Sequence, residues 1–127
     1  MLGRNANWRY WRTMDDVIYR LMDQQSLLKA KRVGVFSGGA DDKRDGFIHF
    51  STAATVRETA RRYYADVADL MLISVAVKDI EADLKWEPSR GGLLFPHLYA
   101  PLSVDTVQAA QLLDRDESGH DFGPSIP

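Results

Sequence analysis

Two short stretches hold most of the residues that could do chemistry. In GFIHFST, residues 46–52, one imidazole, His49, interrupts an apolar run, and two hydroxyls, Ser51 and Thr52, follow it. In KWEPSRGGLLFPHLYAPL, residues 85–102, a carboxylate, a guanidinium, a second imidazole and a phenol gather as Glu87, Arg90, His97 and Tyr99. An imidazole titrates near neutral pH and moves protons readily. The planar fork of Arg90 matches two phosphate oxygens at once. Trp86, Phe95 and Tyr99 offer flat surfaces on which a base or a nicotinamide ring could stack.

Each of these features also has a plainer reading. A lone strand histidine often serves structure, the hydroxyls of Ser51 and Thr52 could do no more than cap a helix, and Glu87 with Arg90 could form an ion pair within their loop. Trp86 and Phe95 equally suit a hydrophobic core. On a strand, Phe47, His49 and Ser51 share one face while Ile48 and Phe50 share the other, so His49 stands on the polar side of an apolar wall. His97 and Tyr99 are two apart and share a face too, which allows a polar cluster with His49. No HxH or HExxH spacing supports a metal among His49, His97 and Glu87, so none is expected, and no GxSxG elbow occurs.

The elements that must position these groups follow from periodicity. Val17–Leu21 reads as a strand, and DQQSLLKAKRVG as a helix closed by Gly34. SGGADDKRD, residues 37–45, has the Gly, Asp and Ser density of a functional loop. FIHF reads as a strand leading into a helix, AATVRETARRYY, capped by Ser51 or Thr52, with Val56, Ala60, Tyr63 and Tyr64 as its inward stripe. The first N–H groups of that helix could hold an anion beside His49. Arg57, Arg61 and Arg62, with Glu58 placed to pair, read as its solvated face. LMLISVAV, residues 70–77, is apolar enough for a central strand buried on both faces. LKWE, a PSRGG loop and a strand around HLYAPL follow, with Pro96 and Pro101 suited to sheet edges. SVDTVQAAQLL leans toward a strand. The sum is an α+β domain with a mostly antiparallel sheet and its helices at one side.

Size and charge bound what such a domain can be. A chain of 127 residues, 45% hydrophobic, builds one core. Residues 1–14 read as an N-terminal extension, 15–114 as a single domain, and 115–127 as a polar tail. Sixteen basic and eighteen acidic residues leave a net charge of −2, with no general attraction for nucleic acid or anionic lipid. The chain has no cysteine, which removes disulfides, thiolate metal sites and thiol nucleophiles. The first residues carry Arg4, Arg9 and Arg12 but lack the continuous apolar stretch of a signal peptide or anchor, so a cytoplasmic location is expected.

From Val17 to about Leu112 the chain resembles the small bacterial proteins grouped as domain of unknown function family 952. The IYR strand and the blocks DGFIHFSTAATVRETARRYY and LKWEPSRGGLLFPHLYAPL carry the resemblance. That family looks like a divergent relative of the ADP-ribosyltransferase fold, a split antiparallel sheet with an NAD-binding cleft between its halves. RDGFIHFS is also similar to the RxHIHL segment of RNA 2′-phosphotransferases. By this resemblance His49 contacts a nucleotide, Ser51 and Thr52 occupy the serine-threonine position, and Tyr19 lies on the first cleft strand. Glu87 becomes the candidate carboxylate that stabilises oxocarbenium character on the nicotinamide ribose, which makes it, with His49, a candidate catalytic residue. Lys85 stands where arginine-modifying transferases carry Gln or Glu, and Arg20, Arg44 and Arg90 are the arginines available to a cleft. NAD or an ADP-ribose-like nucleotide is the implied ligand. Three classes stay open: a transferase or hydrolase, a non-catalytic binding module, and an interaction protein whose polar cluster is structural.

Overall fold

The computed structural model describes residues 16–126, and the expected extension, residues 1–14, lies outside them. Strand β1 (Val17–Asp23) runs into helix α1 (Gln24–Val33), whose N-cap Asp23 accepts the Ser26 backbone N–H at 3.1 Å. Gly34 ends α1 in the left-handed region, at φ 99°, as its position after the last helical turn predicts. Then come β2 (Val35–Phe36), a six-residue helix α2 (Ala40–Asp45), β3 (Ile48–His49), α3 (Val56–Tyr63) and β4 (Leu70–Ala76). β5 (Leu84–Pro88) and β6 (Leu94–Leu98) form a hairpin around a 3-10 turn at Arg90–Gly92. β7 (Leu102–Ser103), β8 (Val107–Leu112), β9 (Asp114–Asp116) and β10 (Gly119–Asp121) complete the order.

Two three-stranded sheets dominate, in the orders β1-β4-β8 and β3-β6-β5, and every named strand pairing is antiparallel. The α+β, mostly antiparallel expectation therefore holds. The placement of helices at one side does not. Ile18, Met22, Ile73 and Val75 pack in one core with Leu27 and Ala30 of α1, while Tyr19, Leu21, Leu70 and Leu72 pack in another with Val56 and Ala60 of α3. Both faces of β1 and β4 are apolar, so each face needs a cover, and the two helices lie on opposite faces of the sheet.

The first core is closed from the far side by the second sheet, which contributes Ile48, Phe50 and Leu98, with Trp86 packed against them. β3 joins the two sheets. Ile48 and His49 pair with Leu98 and His97 of β6, and two residues later Ser51 exchanges backbone hydrogen bonds of 2.7 and 2.8 Å with Tyr19 of β1. Pro96, expected at a sheet edge, instead sits inside β6, the middle strand, opposite Trp86. Its carbonyl accepts the Phe50 N–H at 3.0 Å, so its donorless nitrogen faces the end of β3, where no return bond is needed.

Four further expectations are corrected. Residues 37–45 are not all loop, since α2 occupies 40–45. Neither Ser51 nor Thr52 caps α3: Thr55 holds the N-cap position, and the Thr52 hydroxyl lies 3.1 Å from that of Thr55 in a buried turn. Tyr63 does not face inward but is 62% exposed, because α3 turns only Val56 and Ala60 fully toward the sheet. The supposed tail after residue 114 is also part of the fold. β9 and β10 pair, and Phe122 and Ile126 are buried in the core around α3.

Candidate functional site

α2 carries almost no apolar surface, so its place is set by polar contacts. Gly38, at φ 109°, lets the chain pass over Asp42, where an added Cβ would lie 2.9 Å from the Asp42 Cβ. Asp42 is buried and accepts four hydrogen bonds: from the Gly39 N–H at 2.6 Å, the His49 N–H at 2.9 Å, His49 Nδ1 at 2.7 Å and Arg20 Nη1 at 2.7 Å. Burial pushes its carboxyl up, but the bonds from His49 and Arg20 outweigh burial and hold it well below the usual carboxylate range. Arg20 also donates to the His49 carbonyl at 3.1 Å, and its guanidinium stands 5.0 Å over the Phe36 ring.

The second nitrogen of His49, Nε2, lies 2.9 Å from Asp45 Oδ2. Two carboxylates on two ring nitrogens favour the doubly protonated ring, and the Asp42 hydrogen bond is the main force raising the His49 pKa. His49 is thus a clamp on α2. His97, its register partner, is built differently. Its Nδ1 meets Glu87 Oε1 at 2.7 Å, the Tyr99 hydroxyl donates to the same oxygen at 2.8 Å, and the Phe47 ring stacks on the imidazole at 4.0 Å. Those two donors hold Glu87 below the usual carboxylate range. Lys85 lies 4.6 Å over the Tyr99 ring, on the same face of the hairpin.

Arg90 does not pair with Glu87. It donates to the Thr59 hydroxyl at 3.2 Å and lies 5.0 Å over the Phe95 ring, bringing the hairpin turn against α3. Thr59 also accepts the Ser51 hydroxyl at 3.1 Å. Between these groups lies a cavity of about 260 Å³, lined in part by Arg20, Asp45, His49, Ser51, Arg90 and His97. Its floor is the β3-β6 pair and its walls are α2, α3 and the turn at Arg90. The two stretches picked out by sequence are therefore neighbours in one sheet.

Of the expected site residues, His49, Ser51, Arg90, Phe95 and His97 line this cavity. Glu87 and Tyr99 stand behind His97. Trp86 points to the other face of the hairpin, into the core, and Tyr19 is buried in the core around α3. Thr52 is buried in its turn. Asp42, Asp45 and Thr59 were missed by sequence reasoning, and the one signal for them was a lone arginine inside the apolar β1 run, which needs a buried partner. A broader groove of about 630 Å³ lies between α3 and the β9-β10 hairpin, away from all of these residues. Its Arg61 is paired with Glu58, its Arg115 with the Ala65 carbonyl and its His120 with the Val67 carbonyl. Among the described residues no group of three His, Cys, Asp or Glu side chains could hold a metal ion, and no helix is long and apolar enough to cross a membrane.

Fold and site together define a small α+β protein with a polar cavity at the junction of two antiparallel sheets. The chain belongs to the family described as "Protein of unknown function (DUF952)", which matches over residues 21–110. It is similar to protein CC0527 from Caulobacter crescentus. The crystal structure of that protein aligns at a TM-score of 0.82 and 41% identity, covering 86% of this chain and 96% of that one. Its solution NMR structure aligns at 0.75 and 42% identity, covering 83% and 90%. No curated protein matches the chain.

Proposed function

We propose that the cavity binds the phosphorylated end of a nucleotide-type small molecule, with NAD and ADP-ribose as the first ligands to test and the cytoplasm as the place it does so. The observation that carries this reading is Arg90. Its guanidinium lines the cavity and meets the Thr59 hydroxyl and the Phe95 ring, with no carboxylate paired to it among the described residues. A cation without a counter-charge on the lining of a polar cavity suits an anionic oxygen. The other two arginines of the lining are already paired, Arg20 with Asp42 and Arg44 with Asp41 and Asp45.

Volume limits the ligand. A cavity of about 260 Å³ is smaller than the range of about 300–1,000 Å³ common for drug-sized molecules, so it admits one ribose-phosphate end rather than a whole dinucleotide. ADP-ribosyl transfer through direct contact of Glu87 with the ribose draws less support, because Glu87 is not on the lining and its best-placed oxygen already accepts from His97 and Tyr99.

An amide chemical-shift titration with NAD, ADP-ribose and inorganic phosphate tests the reading. Shifts at residues 39–51, 59 and 89–97 are expected, weakened about tenfold or more in Arg90→Ala, the scale of one charged hydrogen bond. Millimolar ligand that moves none of these amides would end it.

A further inference from the structure

The two histidines that stand side by side on the cavity floor are not equivalent, and the less engaged one defines a second contact. His49 has both ring nitrogens engaged by carboxylates. His97 is 5% exposed, lines the same cavity, and has one nitrogen engaged. Its Nε2 has no hydrogen-bond partner among the described residues, and the only fully buried side-chain polar atom without a partner among them is Arg20 Nε. Nε2 therefore keeps contact with the solvent of the cavity. Glu87 is ionised at neutral pH and can only accept, so the nitrogen facing it, Nδ1, must carry hydrogen, and in the neutral ring Nε2 presents a lone pair.

The rest of the cavity has the complementary pattern. Arg90 brings a cationic donor that no carboxylate among the described residues engages, while the carboxylates of Asp41 and Asp45 and the hydroxyl of Ser51, which donates its own proton to Thr59, keep acceptor capacity. A ligand that satisfies both must carry an anionic group and, a short distance from it, hydroxyls that donate. A phosphorylated sugar does this, and a bare phosphate or a phosphorylated hydrocarbon does not. We propose that His97 Nε2 is the hydroxyl-reading group of the cavity, taking a hydrogen bond from a sugar hydroxyl of a ligand whose phosphate sits on Arg90. Glu87 and Tyr99 are positioning residues, holding the Nδ1–H tautomer and the ring's orientation. This rests on the phosphate-binding reading above and adds the sugar.

The test uses the full chain with ring-nitrogen-labelled histidine and two probes, inorganic phosphate and ribose 5-phosphate. In the free protein, the neutral form of the His97 ring carries its hydrogen on Nδ1 and leaves Nε2 bare. Ribose 5-phosphate moves the His97 Nε2 resonance and binds about five- to tenfold tighter than phosphate, the scale of one net hydrogen bond. His97→Asn, whose amide still reaches Glu87, brings the affinities for the two probes to within about twofold of each other. His97→Gln, which returns an acceptor to the Nε2 position, restores part of the preference. Equal affinities for the two probes in the wild type, or a preference that survives His97→Asn, overturn the assignment of His97 and leave phosphate binding standing. If neither probe binds at millimolar concentration, the underlying reading fails and this one with it. The Nε2 resonance is read on the unaltered protein, so a variant that failed to fold would not remove the test.

Discussion

His49 and His97 are register partners across the antiparallel pair β3-β6, with ring centroids 5.6 Å apart, and they differ in how fully they are engaged. Asp42 and Asp45 occupy both nitrogens of His49, whereas Glu87 occupies one of His97. The same residue type at adjacent lattice points therefore has two jobs, a clamp on one strand and an open acceptor on the other.

The clamp makes stability depend on pH with a definite sign. The His49 pKa is raised on folding, so its contribution is complete below about pH 6.5, its unfolded value, and is lost as pH climbs through the folded value. The Asp42 pKa is lowered, so its contribution is complete above about pH 4 and is lost on acidification. Stability should peak between those limits. His49 has a side chain 36% exposed, so solvent screening keeps the loss from pH 6 to 9 at about 1 kcal/mol or less. Thermal unfolding of wild type and His49→Gln across that range checks this; a wild-type midpoint that rises with pH, or the same fall in the variant, would contradict it.

Asp42→Asn should be far more damaging. Arg20 and Asp42 have side chains 9% and 2% exposed, and neutralising one strands the other's charge out of water. The expected loss is about 3–5 kcal/mol, measured by urea titration. A loss under about 1 kcal/mol would mean that Arg20 finds another partner or solvent when α2 is neutral.

The importance of Asp42 was not legible in the sequence. α2 has six residues and no apolar stripe, so periodicity cannot reveal it, and GGADDKRD reads as a solvated loop until Arg20 is known to sit opposite. Where burial follows a repeat, the reading succeeded. LMLISVA is the middle strand, and the alternation of His49 and Ser51 with Ile48 and Phe50 sets the imidazole and hydroxyl on the cavity lining and the two apolar side chains in the core. Strand spacing also put His97 and Tyr99 on one face. It could not say that Glu87 stands behind His97 rather than beside the ligand, because the hairpin register of β5 on β6 decides that.

The C-terminal segment offers a further check, since its acidic composition hid two anchors. Phe122 and Ile126 are each 5% exposed, in the core with Val56 and Ala60. Phe122→Ala should cost about 3–5 kcal/mol, and removal of residues 115–127 at least as much. Denaturation midpoints equal to wild type would return this segment to the status of a tail.

Tyr99→Phe separates positioning from folding. Tyr99 is 40% exposed, so stability should change by less than about 1 kcal/mol. Its hydroxyl helps hold the Glu87 carboxylate in the charged form, so the Glu87 titration should move upward, read from its side-chain carboxyl carbon shift. An unmoved Glu87 would assign the whole effect to His97.

The four residues Ile48–Ser51 belong to both large sheets within one turn of backbone, and this bears on how the site meets a ligand. Opening either sheet at this seam breaks the bonds of the other, so the amides of Tyr19, Phe50 and Ser51 should exchange with solvent only in a shared, near-global event. His49 and Ser51 thus sit on a hydrogen-bonded seam between two sheets, not on a connecting loop. A ligand arriving there loses little affinity to reorganising its host, and selectivity is left to shape and to hydrogen-bond polarity already in place.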